Sequence, residues 1–164
     1  MDDAAATLAE VRARLGDENR TALEQALSSV GDLMARNVVS LKREQSMQEA
    51  ITLFGARRFR HVLVTDGGRL AGVVSDRDVF RFLAQNPTSK DTPVSSVMTR
   101  NPVTVRRNAS VADAISLILH RRINCLPVVT EDQTVEGILT TTDLLRALYT
   151  LQFCLERRTP PATS

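Results

Sequence analysis

Tryptophan is absent from this chain, and aromatic residues make up only 4% of its 164 residues. A single-stranded nucleic-acid surface of stacked aromatic rings is therefore not expected. Lysine is nearly absent as well. Of 21 basic residues only Lys42 and Lys90 are lysines. Arginine suits bidentate phosphate contacts, but genome base composition produces the same bias, so the bias alone names no partner. A net charge of +2 is too small to argue for a polyanion. Cysteine is scarce: Cys125 and Cys154 lie far apart, with no CxxC pair and no run of histidines near them. That spacing argues against a disulfide framework and against a metal site, and fits idle thiols in a reducing cytoplasm. No apolar run approaches the ~18 residues of a membrane span. The acidic start, Met1-Asp2-Asp3, lacks the basic and apolar regions of a signal peptide. A soluble, cytoplasmic protein is expected. Catalytic signatures are missing too: there is no GxSxG, no HExxH and no P-loop, and the titratable groups scatter. A non-enzyme is expected. What is present is a globular composition, 43% hydrophobic and 24% charged, in a chain long enough to bury a core.

The chain repeats itself. Shifted by 64, Leu33-Met34 falls on Val97-Met98, Asn37 on Asn101 and Val39 on Val103. Residues 45–59 then fall on 109–123 with six identities in fifteen positions, among them Ala50/Ala114, Ile51/Ile115 and Leu53/Leu117. At a shift of 65, Val64-Thr65 meets Val129-Thr130, Gly72 meets Gly137, Asp78 meets Asp143 and Arg81 meets Arg146. One offset kept across a whole unit indicates a duplication. On this reading the register slips by one between Phe59 and Val62.

Each unit has the pattern β-α-β-β-α. A short apolar run opens it, around Val38–Leu41 or Pro102–Val105. Ser46 and Ser110 stand at helix N-cap positions with Glu49 and Asp113 three residues on, a capping box and its weaker relative. Apolar residues follow at helical spacing: Met47, Ala50, Ile51 and Phe54, then Val111, Ala114, Ile115 and Ile118. Two β-rich runs come next. In the first unit they flank Asp66-Gly67-Gly68, a tight-turn sequence; in the second they flank Glu131-Asp132-Gln133, which has no glycine and predicts a different turn. Second helices close the units near Arg77–Gln85 and Thr142–Leu155. Such a unit cannot cover both faces of its sheet alone, and a second copy solves that problem. The organisation expected is an N-terminal extension (1–29), a first repeat (30–86), a polar proline-bounded linker (87–93), a second repeat (94–150) and a helix end with a fraying tail (151–164). Leu8, Val11, Leu15, Leu23, Leu27 and Val30 predict two amphipathic helices in the extension. Leu144, Leu148, Leu151 and Leu155 form a seam for docking on the same module or for dimer contacts.

These residues resemble the tandem cystathionine β-synthase (CBS) domain pair, the regulatory Bateman module, over roughly residues 30–150. The resemblance is carried by the opening Val97-Met98-Thr99-Arg100-Asn101-Pro102, the strand Asn124-Cys125-Leu126-Pro127-Val128-Val129, and the closing motifs Gly72-Val73-Val74-Ser75-Asp76-Arg77-Asp78 and Gly137-Ile138-Leu139-Thr140-Thr141-Thr142-Asp143. It implies an α/β (α+β) fold in which two repeats pack sheet to sheet about a pseudo-two-fold axis. It also implies a stand-alone regulatory module whose clefts take AMP, ADP, ATP or S-adenosylmethionine as regulatory ligand, with no catalytic cofactor, and which pairs into a homodimer read by an effector protein.

Carried over residue by residue, the resemblance implies ribose contacts from Asp78 and Asp143. It implies phosphate contacts from Ser75, Arg77, Arg60, Thr140 and Thr142. Adenine would be contacted by Val39, Val103 and the chain around Arg58, Phe59, Ile123 and Asn124. A structural reading stands beside each. Ser-x-x-Asp and Thr-x-x-Asp also start helices. The valines suit a core. Arg57-Arg58 and Arg121-Arg122 suit helix C-termini. Asn124-Cys125 replace the cation expected in the second unit, and Val62 replaces the usual proline in the first. Two other functions remain open: a dimerisation or protein-interaction module with lapsed ligand sites, and a nucleic-acid-binding accessory, for which no recognition motif is visible.

Overall fold

A computed structural model describes residues 28–57 and 60–156. Its elements run α1 (Val30–Leu33), β1 (Ser40–Lys42), α2 (Met47–Arg57), β2 (His61–Asp66), β3 (Arg69–Ser75), α3 (Asp76–Gln85), a 3-10 turn (Val94–Ser96), β4 (Thr99–Arg100), α4 (Val111–Arg121), β5 (Cys125–Val129), β6 (Val135–Thr140) and α5 (Thr141–Glu156). The expected order is present in the first half; in the second, the opening run expected around Pro102–Val105 makes only a single parallel bridge, Val105 to Val128, and β4 precedes it. The amphipathic helices expected before residue 28 and the tail after 156 lie outside the described residues. No helix among the described residues is long and apolar enough to cross a membrane.

The helices start where their caps allow. Ser46 Oγ accepts from the Glu49 N–H at 3.2 Å, and Glu49 accepts from the Ser46 N–H at 2.7 Å. Ser110 Oγ accepts from the Asp113 N–H at 3.0 Å. The linker adds to the first cap. The carbonyls of Thr92 and Lys90 accept from the Met47 and Gln48 N–H groups, at 2.9 and 3.0 Å. Orphan donors at a helix start are thereby satisfied by chain that a sequence reading sees only as a spacer. Met47, Ala50 and Phe54 face the first core, and Val111, Ala114 and Ile118 are buried in the second half. Ile115, expected in that series, is turned outward.

The central strands β2 and β5, with their partners β3 and β6, are covered on both faces, so their two side-chain sets serve two cores. Val62, Val64 and Val74 face the helices of the first unit, as Leu126, Val128 and Leu139 do in the second. The intervening Leu63, Val73 and Cys125 meet between the sheets, with Val38, Leu70, Val135 and Ile138 around them. This is the sheet-to-sheet packing that the repeat implies.

The repeats also trade their opening segments. β4, from the start of the second repeat, adds to β3 of the first, with Thr99 opposite Val73. Reciprocally, Ala35 bridges Ile138 of β6, with N–H···O bonds of 2.9 and 3.0 Å. The Val30 N–H donates to Ala109 O at 2.9 Å and the Val94 N–H to Gln45 O at 2.8 Å. Val30 and Met34 thus belong to the second core, and Val94 and Met98 to the first.

Strand pairing corrects the sequence register. Leu63 lies opposite Val73, and Pro127 opposite Ile138. The offset of 64 therefore persists through β2 and β5, and the extra residue falls in the hairpin turn. The residue standing where the second repeat has its proline is Leu63, not Val62. The turns differ as expected. Gly67 and Gly68 take φ of 56° and 85°, which a two-residue hairpin needs. The second turn spans five residues and places Gln133 at φ 68°, braced by Asp132, which accepts from the hydroxyls of Thr130 and Thr134. Of the leucine seam, Leu144 packs on the second core while Leu148 is exposed. The side chains of Leu151 and Leu155 lie outside the described set.

The exchange requires two glycines. A Cβ on Gly72 would stand 2.7 Å from Thr99 O, and one on Gly137 2.9 Å from Ala35 O and 2.7 Å from Met34 Sδ. Gly137→Ala should destabilise the protein by about 1–3 kcal/mol through overpacking. Gly55→Ala, inside α2 with nothing within 4 Å of the added carbon, should stabilise it by about 0.8–1 kcal/mol through helix propensity. Urea unfolding of the two variants beside the parent measures both.

Candidate functional site

The strand ends β3 and β6 deliver equivalent motifs to the starts of α3 and α5. Ser75 Oγ accepts from the Asp78 N–H at 3.1 Å and donates to Asp78 Oδ2 at 2.5 Å. Thr140 does the same with Asp143, at 3.3 and 2.6 Å, and its N–H donates to the same carboxylate oxygen at 2.9 Å. Both motifs are therefore reciprocal helix caps, as the structural reading of the sequence held. The cap engages Oδ2 of each aspartate. Oδ1 is left facing a guanidinium one turn on, Arg81 or Arg146, each at 4.0 Å. The N–H groups of Asp76, Arg77 and Asp78 are held by Arg60 O, Asp76 Oδ1 and Ser75 Oγ, and those of Thr141 and Asp143 by Asn124 O and Thr140 Oγ, so the helix starts offer an anion their dipoles rather than open donors.

Between the units lies an open cleft of about 1260 Å³. The first unit lines it with Arg60, His61, Ser75, Asp76, Arg77, Phe80 and Arg81. The second lines it with Asn124, Ile138, Arg146 and the run Thr140–Asp143. Ala35, Asn37, Val38 and Val39 complete it. They sit there because the opening segment of the first repeat is hydrogen-bonded to β6 of the second. Four arginines face two carboxylates, Asp76 and Asp143, so the cleft favours negative charge. His61 is half-buried at the cleft wall. Its pKa is held below the ordinary imidazole value by that burial, against the pull of the Asp76 and Asp78 carboxylates and with help from Arg77 and Arg60.

Eight of the residues singled out in the sequence come together here: Val39, Arg60, Ser75, Arg77, Asn124, Thr140, Thr142 and Asp143. Asp78, Val103 and Ile123 do not line the cleft. Val103 and Ile123 pack on the second core. Arg58 and Phe59 lie outside the described residues. Sequence reasoning overlooked Ala35, Asn37, Phe80, Arg81 and Arg146. The last two carried a signal, since they match at the same offset of 65 as the aspartates they face. Asn37 carried its match to Asn101, and Ala35 carried none, because its placement follows from the exchange. Cys125 is buried between the sheets, and burial pushes its thiol up to about 11. Among the described residues no cluster of three or more His, Cys, Asp or Glu side chains could hold a metal ion.

A model of the CBS domain matches the chain twice, at residues 30–85 and 94–150. The chain is 33% identical over 118 residues to the CBS domain-containing protein YhcV of Bacillus subtilis, covering 72% of this chain and 84% of that one. Three further curated relatives are longer, and the chain spans between 21% and 39% of them. Among solved structures it is similar to CBSX2 in complex with AMP, with a TM-score of 0.68 and 29% identity over 76% of this chain and 98% of that one. It is likewise similar to the CBS domain pair of MJ0100 in complex with 5′-methylthioadenosine and S-adenosyl-L-methionine, with a TM-score of 0.69 and 25% identity over 76% and 98%.

The caps and the cleft cations should separate by stability. Ser75→Ala and Thr140→Ala should each cost about 1 kcal/mol as lost N-caps. Arg77→Gln, at an exposed position, should stay within about 0.5 kcal/mol of the parent. Thermal unfolding of the three variants reads the difference.

Proposed function

The chain belongs to the CBS domain family, and on that premise we propose that it is a non-catalytic regulatory module whose inter-unit cleft senses an adenosyl ligand, AMP, ADP, ATP or S-adenosylmethionine. One observation carries the reading: an apolar edge (Val38, Val39, Ile138), a helix-start carboxylate (Asp143) and a set of phosphate donors (Arg60, Arg77, Thr140, Thr142) line the same cleft. Adenine takes the apolar edge. Ribose hydroxyls donate to Asp143 Oδ1, the oxygen that the cap leaves unused. The phosphate end takes the arginines, whose charge-assisted bonds are strong, and lies in the field of the helix starts. The AMP and S-adenosyl-L-methionine complexes of structural relatives support the ligand class.

A ligand seated there touches both units. It stabilises whichever arrangement brings α3 and α5 to the bound spacing, and shifts the population toward it. A homodimer and an effector protein that distinguishes the two arrangements complete the proposal. The exposed Phe80 of α3 and Leu145 and Leu148 of α5 support a protein-binding face. They also keep the interaction-module reading in play should no ligand bind.

Calorimetric titration of nucleotide-stripped protein with AMP, ADP, ATP and S-adenosylmethionine tests the reading. Asp143→Ala should weaken binding about tenfold or more, the loss expected for charged hydrogen bonds, while Asp78→Ala should weaken it far less. Absence of heat with every ligand, and of nucleotide released from freshly purified protein, would discard it.

The His61 imidazole supplies a pH test. Without ligand it titrates below the ordinary value near 6.5. The unfolded state therefore binds the proton first, and His61 costs the ligand-free protein stability as pH falls through about 6.5. A bound phosphate raises the imidazole pKa, so a proton is taken up on binding. AMP affinity should then strengthen as pH falls from 8 to 6, and His61→Gln should flatten that profile.

A further inference from the structure

The two halves of the cleft are related by pseudo-symmetry but are not equivalent. The segment exchange puts Val39 on the cleft that Asp143 lines, and the matching pair in the repeat is Val103 with Asp78. Val39 belongs to none of the apolar clusters and lines the cleft. Val103 packs on the second core with Ile123, and Asp78 stands off the cleft. The cations are one-sided as well. With the corrected register, Arg60 corresponds to Asn124, His61 to Cys125 and Arg77 to Thr142. Neither Arg60 nor Arg77 is in an ion pair among the described residues. Unpaired guanidinium groups from one unit therefore face a base-and-ribose end built on the other.

We propose that the cleft takes one adenosyl ligand per chain, seated at Val39 and Asp143, and selects an anionic phosphate tail over a cationic sulfonium because Arg60 and Arg77 reach it from the opposite unit. This rests on the adenosyl reading above and narrows it in stoichiometry and in ligand charge. The ligand becomes a tie between the units: its base end is held by the second unit with the exchanged segment, its charged end by the first. A sulfonium in the same place meets four arginines against Asp76, Asp143 and the nearby Asp78, which is held by its Ser75 cap.

The test is titration of the full chain, stripped of nucleotide, with AMP, adenosine and S-adenosylmethionine in parallel. The expected result is one AMP per chain, with adenosine and S-adenosylmethionine each at least about tenfold weaker, as the loss of charge-assisted bonds implies. The Arg60→Gln/Arg77→Gln double variant, at exposed positions, should lose that AMP advantage and keep the adenosine affinity of the parent. Two AMP per chain, S-adenosylmethionine binding as tightly as AMP, or AMP affinity unchanged in the double variant would each overturn the proposal while leaving the adenosyl reading intact. Failure of all three ligands to bind would remove the adenosyl reading and this inference together.

Discussion

Met34 lies against Gly137 and Met98 against Gly72, and on these two contacts the arrangement of the whole molecule depends. Each carries the opening segment of one repeat onto the sheet of the other. Each is backed by main-chain hydrogen bonds that reach across about a hundred residues in one direction and about thirty in the other. Because Val30 and Met34 complete the second core while Val94 and Met98 complete the first, neither repeat can close its core alone. The two units are therefore coupled by packing as well as by the linker. The same exchange places Val39 on the cleft that Asp143 also lines.

The cleft uses groups that the fold has already used. Ser75, Thr140 and Asp143 are helix caps first, and the geometry leaves Asp143 one carboxylate oxygen for anything else. A site assembled from caps has rigid walls, since the groups that would meet the ligand are already held by two or three hydrogen bonds. It also ties binding to stability. Any variant that removes an aspartate loses a cap, so the exposed arginines are the cleaner probes of the charge of the cleft.

Much of this architecture is legible in local patterns. The capping pairs at Ser46 and Ser110, the apolar spacing of Met47, Ala50 and Phe54, and the glycine turn at Gly67-Gly68 act within a few residues and place their elements within one or two positions. The duplication is legible because both copies retain those patterns. The exact offset was not. A single extra residue in a turn can be placed on either side of a strand without disturbing a β-rich run, and only the pairing of Leu63 with Val73 and Pro127 with Ile138 assigns it.

The chemistry of the cleft was partly legible for the same reason. The amino acids that carry it were visible as repeated motifs, but which opening segment faces which aspartate was not. Local preference operates through neighbours on the chain, and the sequence by itself determined the elements, their order, the caps and the residue types available for binding. Tertiary structure decided the exchange of the opening segments, the packing of Val103 and Ile123 against the second core, and the placing of Arg60, Arg77, Val39 and Asp143 around one cleft. Those outcomes rest on hydrogen bonds and close packing between residues far apart in the chain, such as Ala35 and Ile138, which leave no periodicity within a segment to read.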